Sequence, residues 1–323
     1  MKAALLTICL GWLSAGFATG GAEIPSADLR RYDFSGPGMA TTFRISLYAD
    51  DEAKAEAAVD ACFKRVEHLN AVCTDYDPSS ELMRICAPGV KFPLRVSAEL
   101  FDLLKRAVSL AETTGGAFDP TCGHLTQLWR RTRRQGRLPP PDRLHAAMAA
   151  TNWRRIFLDE GTLSVTLAPG TLLDLGGIAK GYAADECLRI LRLHGLPHAI
   201  VAAGGDIRIG ASPPGADGWE YRIRAFADAT ESEDQLSMRG ANLAVSTSGD
   251  LYQFVEIDGV RYSHIIDPRT GLGLTRRVAC TVFAADGATS DALATAMCVL
   301  GPDEGRRLAE RLPGVEVRFA APK

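Results

Sequence analysis

Asp174-Leu175-Gly176-Gly177-Ile178-Ala179-Lys180-Gly181 opens the most ordered stretch of the sequence, which runs to Gly204-Gly205. Its glycines mark a tight entry into a helix, because glycine lets the chain turn sharply and approach a ligand closely. Ala183, Cys187, Ile190 and Leu191 then recur at helical spacing, predicting a helix over 179–193 with Gly195 as its stop. The apolar run 199–203 predicts a strand. The remainder of the chain breaks any βαβ rhythm: strands are predicted at 221–225, 243–246, 251–256 and 280–284 before the next helix, over 291–300, ends at Gly301-Pro302. Many strands between few helices mean a mixed α+β fold and not a doubly wound sheet.

Upstream the pattern is similar. Phe43, Ile45 and Leu47 alternate with polar neighbours, predicting a strand over 40–48. Ala58, Cys62, Val66 and Leu69 share one side of a helix over 50–72. A second helix, 97–112, has Ser97 as N-cap, a stripe of Leu100, Leu103, Leu104, Ala107 and Leu110, and Gly115-Gly116 as its stop. A short strand is expected at 163–167. The run 129–143 carries six arginines and Pro139-Pro140-Pro141, and reads as an exposed connection. A basic rim for a phosphate or an acidic partner is its alternative reading.

The 323 residues suffice for one large domain or two intimately joined lobes. Hydrophobic residues at 46% and charged residues at 23% are ordinary for a globular protein, and a net charge of -3 gives no field that would draw nucleic acid. Lys2, the apolar run 3–17 and the small residues around Gly20-Gly21-Ala22 form a secretory signal layout. Residues 1–22 are therefore expected to be a signal peptide and 23–323 the functional domain. The protein is expected to be exported and periplasmic, with a retained inner-membrane anchor as the variant reading. The eight cysteines lack CxxC spacing; Cys187 and Cys298 read as core residues, and Cys62, Cys73 and Cys86 lie close enough to permit one disulfide.

Three segments carry candidate chemistry. Asp291 and Thr295 are four apart, so on a helix they project from one face as two hard oxygen ligands suited to magnesium or calcium. Spacing alone favours the plainer reading, an N-cap Asp and a Thr bonded to its own backbone. Gly176-Gly177 before a helix can aim N–H groups at phosphate, or merely make a turn. His264 precedes Asp267-Pro268-Arg269-Thr270-Gly271, which is turn chemistry, and can serve either as a general base or as a partner to the turn. Met39, Tyr76 and Phe118 are of the type that line a flavin ring, though each singly is more often core.

These segments occur together in one order: Met39-Ala40-Thr41-Thr42, Thr74-Asp75-Tyr76, Gly116-Ala117-Phe118-Asp119, the stretch 173–181, Ser246-Thr247-Ser248-Gly249, 263–268 and 290–295. In that order they resemble the ApbE family of FAD:protein FMN transferases along nearly the whole mature chain. The resemblance implies a T-fold-type α+β architecture of mixed sheets with packed helices. It implies an FAD site contacted by Met39, Tyr76, Ala117, Phe118, Asp119, Asp174, Lys180 and Ile266. It also implies a magnesium ion held by Asp291, Thr295 and an oxygen of Gly177. Some relatives carry a hydroxyl side chain at the position of Gly177, where only the carbonyl serves here; Lys180 and Ala40 also depart from the family pattern. The implied reaction is transfer of FMN from FAD to a Thr or Ser hydroxyl of an acceptor protein as a phosphoester, with release of AMP. The expected acceptor is a subunit of a membrane redox complex. His264 is the candidate base, and Asp291 the alternative relay for that proton. The competing readings are an FAD diphosphatase, with water as acceptor, and a periplasmic flavin-binding protein without turnover.

Overall fold

The structure, a computed structural model, describes residues 28–224, 235–249 and 253–320. The expected signal peptide lies outside them, as do residue 225 of the strand expected at 221–225 and residues 251–252 of the one expected at 251–256. In chain order the first half comprises β1 (Arg30–Gly38), β2 (Thr41–Ala49), α1 (Glu52–Cys73), α2 (Glu81–Ile85), β3 (Leu94–Arg95), α3 (Ala98–Thr113), α4 (Gly123–Gln135), α5 (Pro141–Ala149), β4 (Ile156–Asp159) and β5 (Ser164–Leu167). The second half comprises α6 (Ala179–Leu193), β6 (Ala199–Ala203), β7 (Asp206–Ile209), β8 (Trp219–Arg224), β9 (Gln235–Gly240), β10 (Ala244–Gly249), β11 (Phe254–Ile257) and β12 (Val260–Ser263). It ends with β13 (Ile266–Asp267), β14 (Leu272–Gly273), β15 (Ala279–Ala284), α7 (Gly287–Leu300), α8 (Pro302–Ala309) and β16 (Glu316–Ala320).

A seven-stranded sheet in the order β1-β2-β6-β7-β10-β15-β16 forms the frame. The mixed sheets expected from the sequence are antiparallel in every ladder among the described residues; the parallel pairing there is an isolated bridge, Cys122 to Leu172. Strand alternation divides the apolar residues between two faces. Phe43, Ile45, Leu47, Ala199, Val201, Cys280 and Val282 enter the main core with α1, α6 and α7. Ile209 and Val245, with Tyr48, Ile200 and Phe283, meet Trp219, Tyr221 and Ile223 of the β8–β9 hairpin in a second cluster on the other face. The small sheet β3-β5-β4 contributes Val165, Leu167 and Ile156 to the main core. One continuous core therefore joins it to the large sheet.

Helix starts follow local chemistry. Asp51, Ser80, Ser97 and Asp286 each cap a helix, accepting from the backbone N–H of Ala53, Met83, Leu100 and Thr289. The capping role considered for Asp291 belongs to Asp286: the helix begins four residues before Asp291, which sits fully inside it. The reading of 129–143 as an exposed connection is also corrected. Residues 129–135 complete α4, ended by Gly136 in the left-handed region at φ 62°, and Pro141 is the first residue of α5. Pro141 fits there because a first-turn N–H has no intrahelical partner to lose. The cysteines of the described residues are all free, so no disulfide joins Cys62, Cys73 or Cys86.

β1 is not foreseen from the sequence because Gly36-Pro37-Gly38 resembles a turn. Proline is tolerated where β1 lies, at the sheet edge, because its missing N–H breaks no inner ladder. The β1–β2 turn consists of Met39 and Ala40, both with positive φ, at 47° and 58°. A side chain at such a position is strained by roughly 1–2 kcal/mol relative to glycine. Ala40→Gly is therefore expected to stabilise the protein by about 1 kcal/mol, after allowing for glycine's greater freedom in the unfolded chain. A lower melting temperature for the variant would contradict this.

Candidate active site

A cleft of about 1240 Å³ opens where the loops after α1 and α3 face α4, the first turns of α6, the β6–β7 turn, β10, the segment 264–266 that leads into β13, and α7. This exceeds the roughly 300–1,000 Å³ of ordinary small-molecule sites and suits a ligand of dinucleotide size.

The floor depends on a close approach of two backbones. A Cβ on Gly181 would stand 2.0 Å from the carbonyl oxygen of Gly287, and one on Gly287 would stand 2.3 Å from that of Gly181. Only two glycines permit this contact, which brings Lys180 on α6 beside Asp291 on α7. Asp291, 3% exposed, accepts from the Gly181 N–H at 3.1 Å and from Lys180 Nζ at 3.2 Å. Lys180 Nζ also pairs with Asp206 at 3.0 Å, and Asp206 is 4% exposed. Burial, then the charge of Asp206, raises the Asp291 carboxyl against the opposing pull of Lys180. Burial works against the Lys180 ammonium, but the charges of Asp206 and Asp291 outweigh it and raise its pKa. Two carboxylates thus share one ammonium, leaving one negative charge in a buried place.

Hydroxyls join β10 to α7. Ser246 and Ser248 alternate along β10 toward α7, where Ser246 Oγ meets Ser290 Oγ at 2.8 Å and Ser248 Oγ meets Thr295 Oγ1 at 3.4 Å. A Cβ on Gly177 would lie 3.4 Å from Thr295 Oγ1, so Gly177 reaches the same spot. Asp291, Thr295 and Gly177 are therefore neighbours, and with the net charge they form a donor set fitted to a hard divalent cation. Among the described residues no group of three or more His, Cys, Asp or Glu is arranged to hold a metal. One or two carboxylates are enough for magnesium when substrate phosphates complete its shell.

The walls position the other candidates. Gly115 and Gly116, at φ 61° and 83°, turn the chain after α3 so that Ala117, Phe118 and Asp119 line the cleft. Asp119 accepts from the Thr121 N–H, the Thr121 hydroxyl and the Trp153 N–H at 2.8, 2.6 and 2.9 Å. Both of its oxygens thus hold the loop together. Asp174 caps its own turn, accepting from Gly176 N–H at 2.7 Å, while its N–H donates to Pro120 O at 2.9 Å. Tyr76, Ile266 and His264 also line the cleft. His264 Nδ1 lies 3.1 Å from the carbonyl oxygen of Gln253. A carbonyl there requires Nδ1–H, so the basic lone pair of the neutral ring is assigned to Nε2. Asp267 accepts from the Arg269 backbone and guanidinium, and its carbonyl accepts from Gly271 N–H at 2.8 Å, which closes the expected turn. Met39 is absent from the cleft lining and packs on the main core; Thr41 lines the cleft in its place.

Residues 39–319 match the profile of the ApbE family. The chain belongs to the ApbE family. It is 33% identical to the FAD:protein FMN transferase of Treponema pallidum over 92% of this chain and 86% of that one. The FAD:protein FMN transferase of Vibrio cholerae is also 33% identical, over 90% and 86%. The solved flavin transferase ApbE from Vibrio cholerae superposes with a TM-score of 0.80 at 30% identity, covering 90% of this chain and 93% of that one. The apo flavinyl transferase ApbE of Pseudomonas stutzeri gives 0.80 at 28% identity, over 91% and 92%.

The ApbE fold also brings in residues that the sequence motifs leave without a role. Asp206 follows Gly204-Gly205 directly, and an acid next to a glycine pair is its one local signal. Ser248 lies in the motif 246–249, where nothing in the spacing distinguishes it from its neighbours. Arg130, Arg133 and Arg134 line the cleft; Arg133 and Arg134 give it a basic rim, whereas the charge of Arg130 is paired with Asp75.

Proposed function

We propose that this ApbE-family enzyme is a magnesium-dependent FAD:protein FMN transferase. Its acceptor is a Thr or Ser hydroxyl of another exported protein, and AMP is the leaving group. The observation that carries this reading is the meeting of Asp291, Thr295 and Gly177 beside a buried excess negative charge on the floor of a cleft of dinucleotide size. Its relatives' names, and a signal-like N-terminus, support the substrate and the periplasmic setting.

Asp291, Thr295 and the Gly177 carbonyl would hold the ion; when bound, magnesium neutralises charge developing on the diphosphate. The residues of this chain then have separable tasks. Lys180 bridges Asp291 and Asp206 and holds both side chains in place. Tyr76 and Phe118 offer flat surface to the flavin. His264 accepts at Nε2 the proton of the attacking hydroxyl, whose oxygen bonds to the FMN-side phosphorus as the P–O bond to AMP breaks. A subunit of a membrane redox complex facing the periplasm is the proposed acceptor.

The test is incubation with FAD, magnesium and a threonine-bearing acceptor protein. The expected result is a mass gain of one FMN on the acceptor, equimolar AMP, and loss of both when magnesium is chelated. AMP without flavinylated acceptor would instead mean FAD hydrolysis, and binding without AMP a flavin carrier. His264→Ala is expected to slow transfer by about 10²–10⁴-fold, the usual worth of a positioned base. Single-turnover rates within twofold of wild type across pH would remove His264 from this role.

A further inference from the structure

Tyr76, at 69% exposed, stands out from the other aromatic rings of the cleft, Phe118 at 5%, Trp129 at 3% and Phe254 at 39%. An aromatic side chain so exposed, in the loop between α1 and α2, gains little fixity from packing. Something else holds it. The Arg130 guanidinium, reaching from α4, lies over the Tyr76 ring at 4.0 Å from its centroid. Arg130 in turn is gripped by the neighbouring residue Asp75, with Nη1 2.5 Å from Oδ2 and Nη2 3.1 Å from Oδ1. The Asp75 side chain is only 10% exposed, so the anchor of this arrangement is buried while its tip stands in the cleft. The paired fork of Arg130 has its charge matched by a carboxylate and its plane occupied by a ring. That is the placement of a group that supports another side chain, and not of one waiting for a phosphate.

We propose that Arg130, locked by Asp75, is a positioning residue that backs one face of Tyr76 and presents the other face as a preformed platform for a flat heteroaromatic ring of the substrate. The inference rests on reading the cleft as an FAD site. Its physical content is preorganisation: a ring already stacked on a guanidinium loses less freedom when a second ring stacks on it. Lysine cannot substitute, because an ammonium has neither the plane to stack nor the fork to grip both oxygens of Asp75.

The experiment measures FAD affinity by quenching of flavin fluorescence, with KM and kcat for FMN transfer, in wild type, Arg130→Gln, Arg130→Lys, Tyr76→Ala and the Arg130→Gln/Tyr76→Ala double variant. Arg130→Gln is expected to weaken FAD binding and raise KM by about tenfold, with kcat falling less than twofold. Arg130→Lys is expected not to rescue it. In the Tyr76→Ala background, the Arg130→Gln change should alter affinity less than twofold. Melting temperatures identify unfolded variants; if Arg130→Gln does not fold, Asp75→Asn takes its place with the same expectations. The same loss of affinity with and without Tyr76, full rescue by lysine, or a fall in kcat at unchanged KM would each overturn the inference. Failure of the wild type to bind FAD at all would overturn the functional reading itself, and this inference with it.

Discussion

Asp291→Asn is expected to reduce magnesium-dependent release of AMP from FAD on the order of 10³-fold, while the protein stays at least as stable as wild type. The two halves of that expectation have one cause. Asp291 and Asp206 are buried with Lys180 as their shared cation, so the cluster carries one negative charge more than it needs for folding. Asparagine removes that charge and leaves a neutral Lys180–Asp206 pair. One amide oxygen can still accept from both Gly181 N–H and Lys180 Nζ, which now share Oδ2. Removing an uncompensated buried charge does not destabilise, and replacing buried ions by neutral groups is often favourable. For function the same change takes away the one anionic oxygen in the set formed with Thr295 and Gly177, and loss of an electrostatic element at a reacting diphosphate is worth about 10²–10³-fold or more. A variant that keeps a tenth of wild-type AMP release under saturating magnesium would show that Asp291 is not the ligand.

Gly181→Ala is expected to destabilise the protein by about 3 kcal/mol or more, among the larger effects of a single methyl group. The added carbon would stand 2.0 Å from the Gly287 carbonyl oxygen, 2.4 Å from its carbon and 2.9 Å from Asp291 Cβ. Two of these are backbone atoms, so no rotamer relieves the clash; α6 must move off α7. That movement also separates Lys180 from Asp291, so whatever fraction folds should bind FAD more weakly. By contrast, Gly115→Ala meets no atom within 4 Å and tests only the left-handed backbone at φ 61°, a smaller penalty of about 1–2 kcal/mol. Chemical denaturation of the two variants side by side measures the difference; equal losses would mean that the helices have room to part.

Much of this molecule is local in origin and so is legible in the order of its residues alone. The helix over 179–193 and the strand over 199–203 match α6 and β6 because their apolar spacing and terminal glycines act within a few residues. Ser97 caps α3 as expected for the same reason. Expectations fail where a local signal competes with a distant one. Gly36-Pro37-Gly38 looks like a turn, and only pairing with Thr41, Thr42 and Phe43 across the hairpin makes it an edge strand. The prolines at 139–141 obscure the helical register of Trp129 and Thr132, which are buried in α4. A start of α7 at Asp291 is too late because Asp291 only looks like a cap, whereas Asp286 accepts from Thr289 N–H and does the capping.

For the site, the sequence by itself determined which residues are candidates: ordered motifs carrying Tyr76, Phe118, Gly177, His264, Asp291 and Thr295 lie along one chain, and all six line one cleft. It could not determine their partners, because a hydrogen bond or a charge pair between residues far apart in the chain leaves no local pattern. Only the tertiary structure decided that Asp206 shares Lys180 with Asp291, that Arg130 backs Tyr76 through Asp75, that Asp119 holds Trp153, and that Met39 turns to the core. The physical reason is the same in each case. Charge and shape act through space at roughly 3–4 Å, and the sheet and the Gly181–Gly287 contact choose which distant residues come within that range.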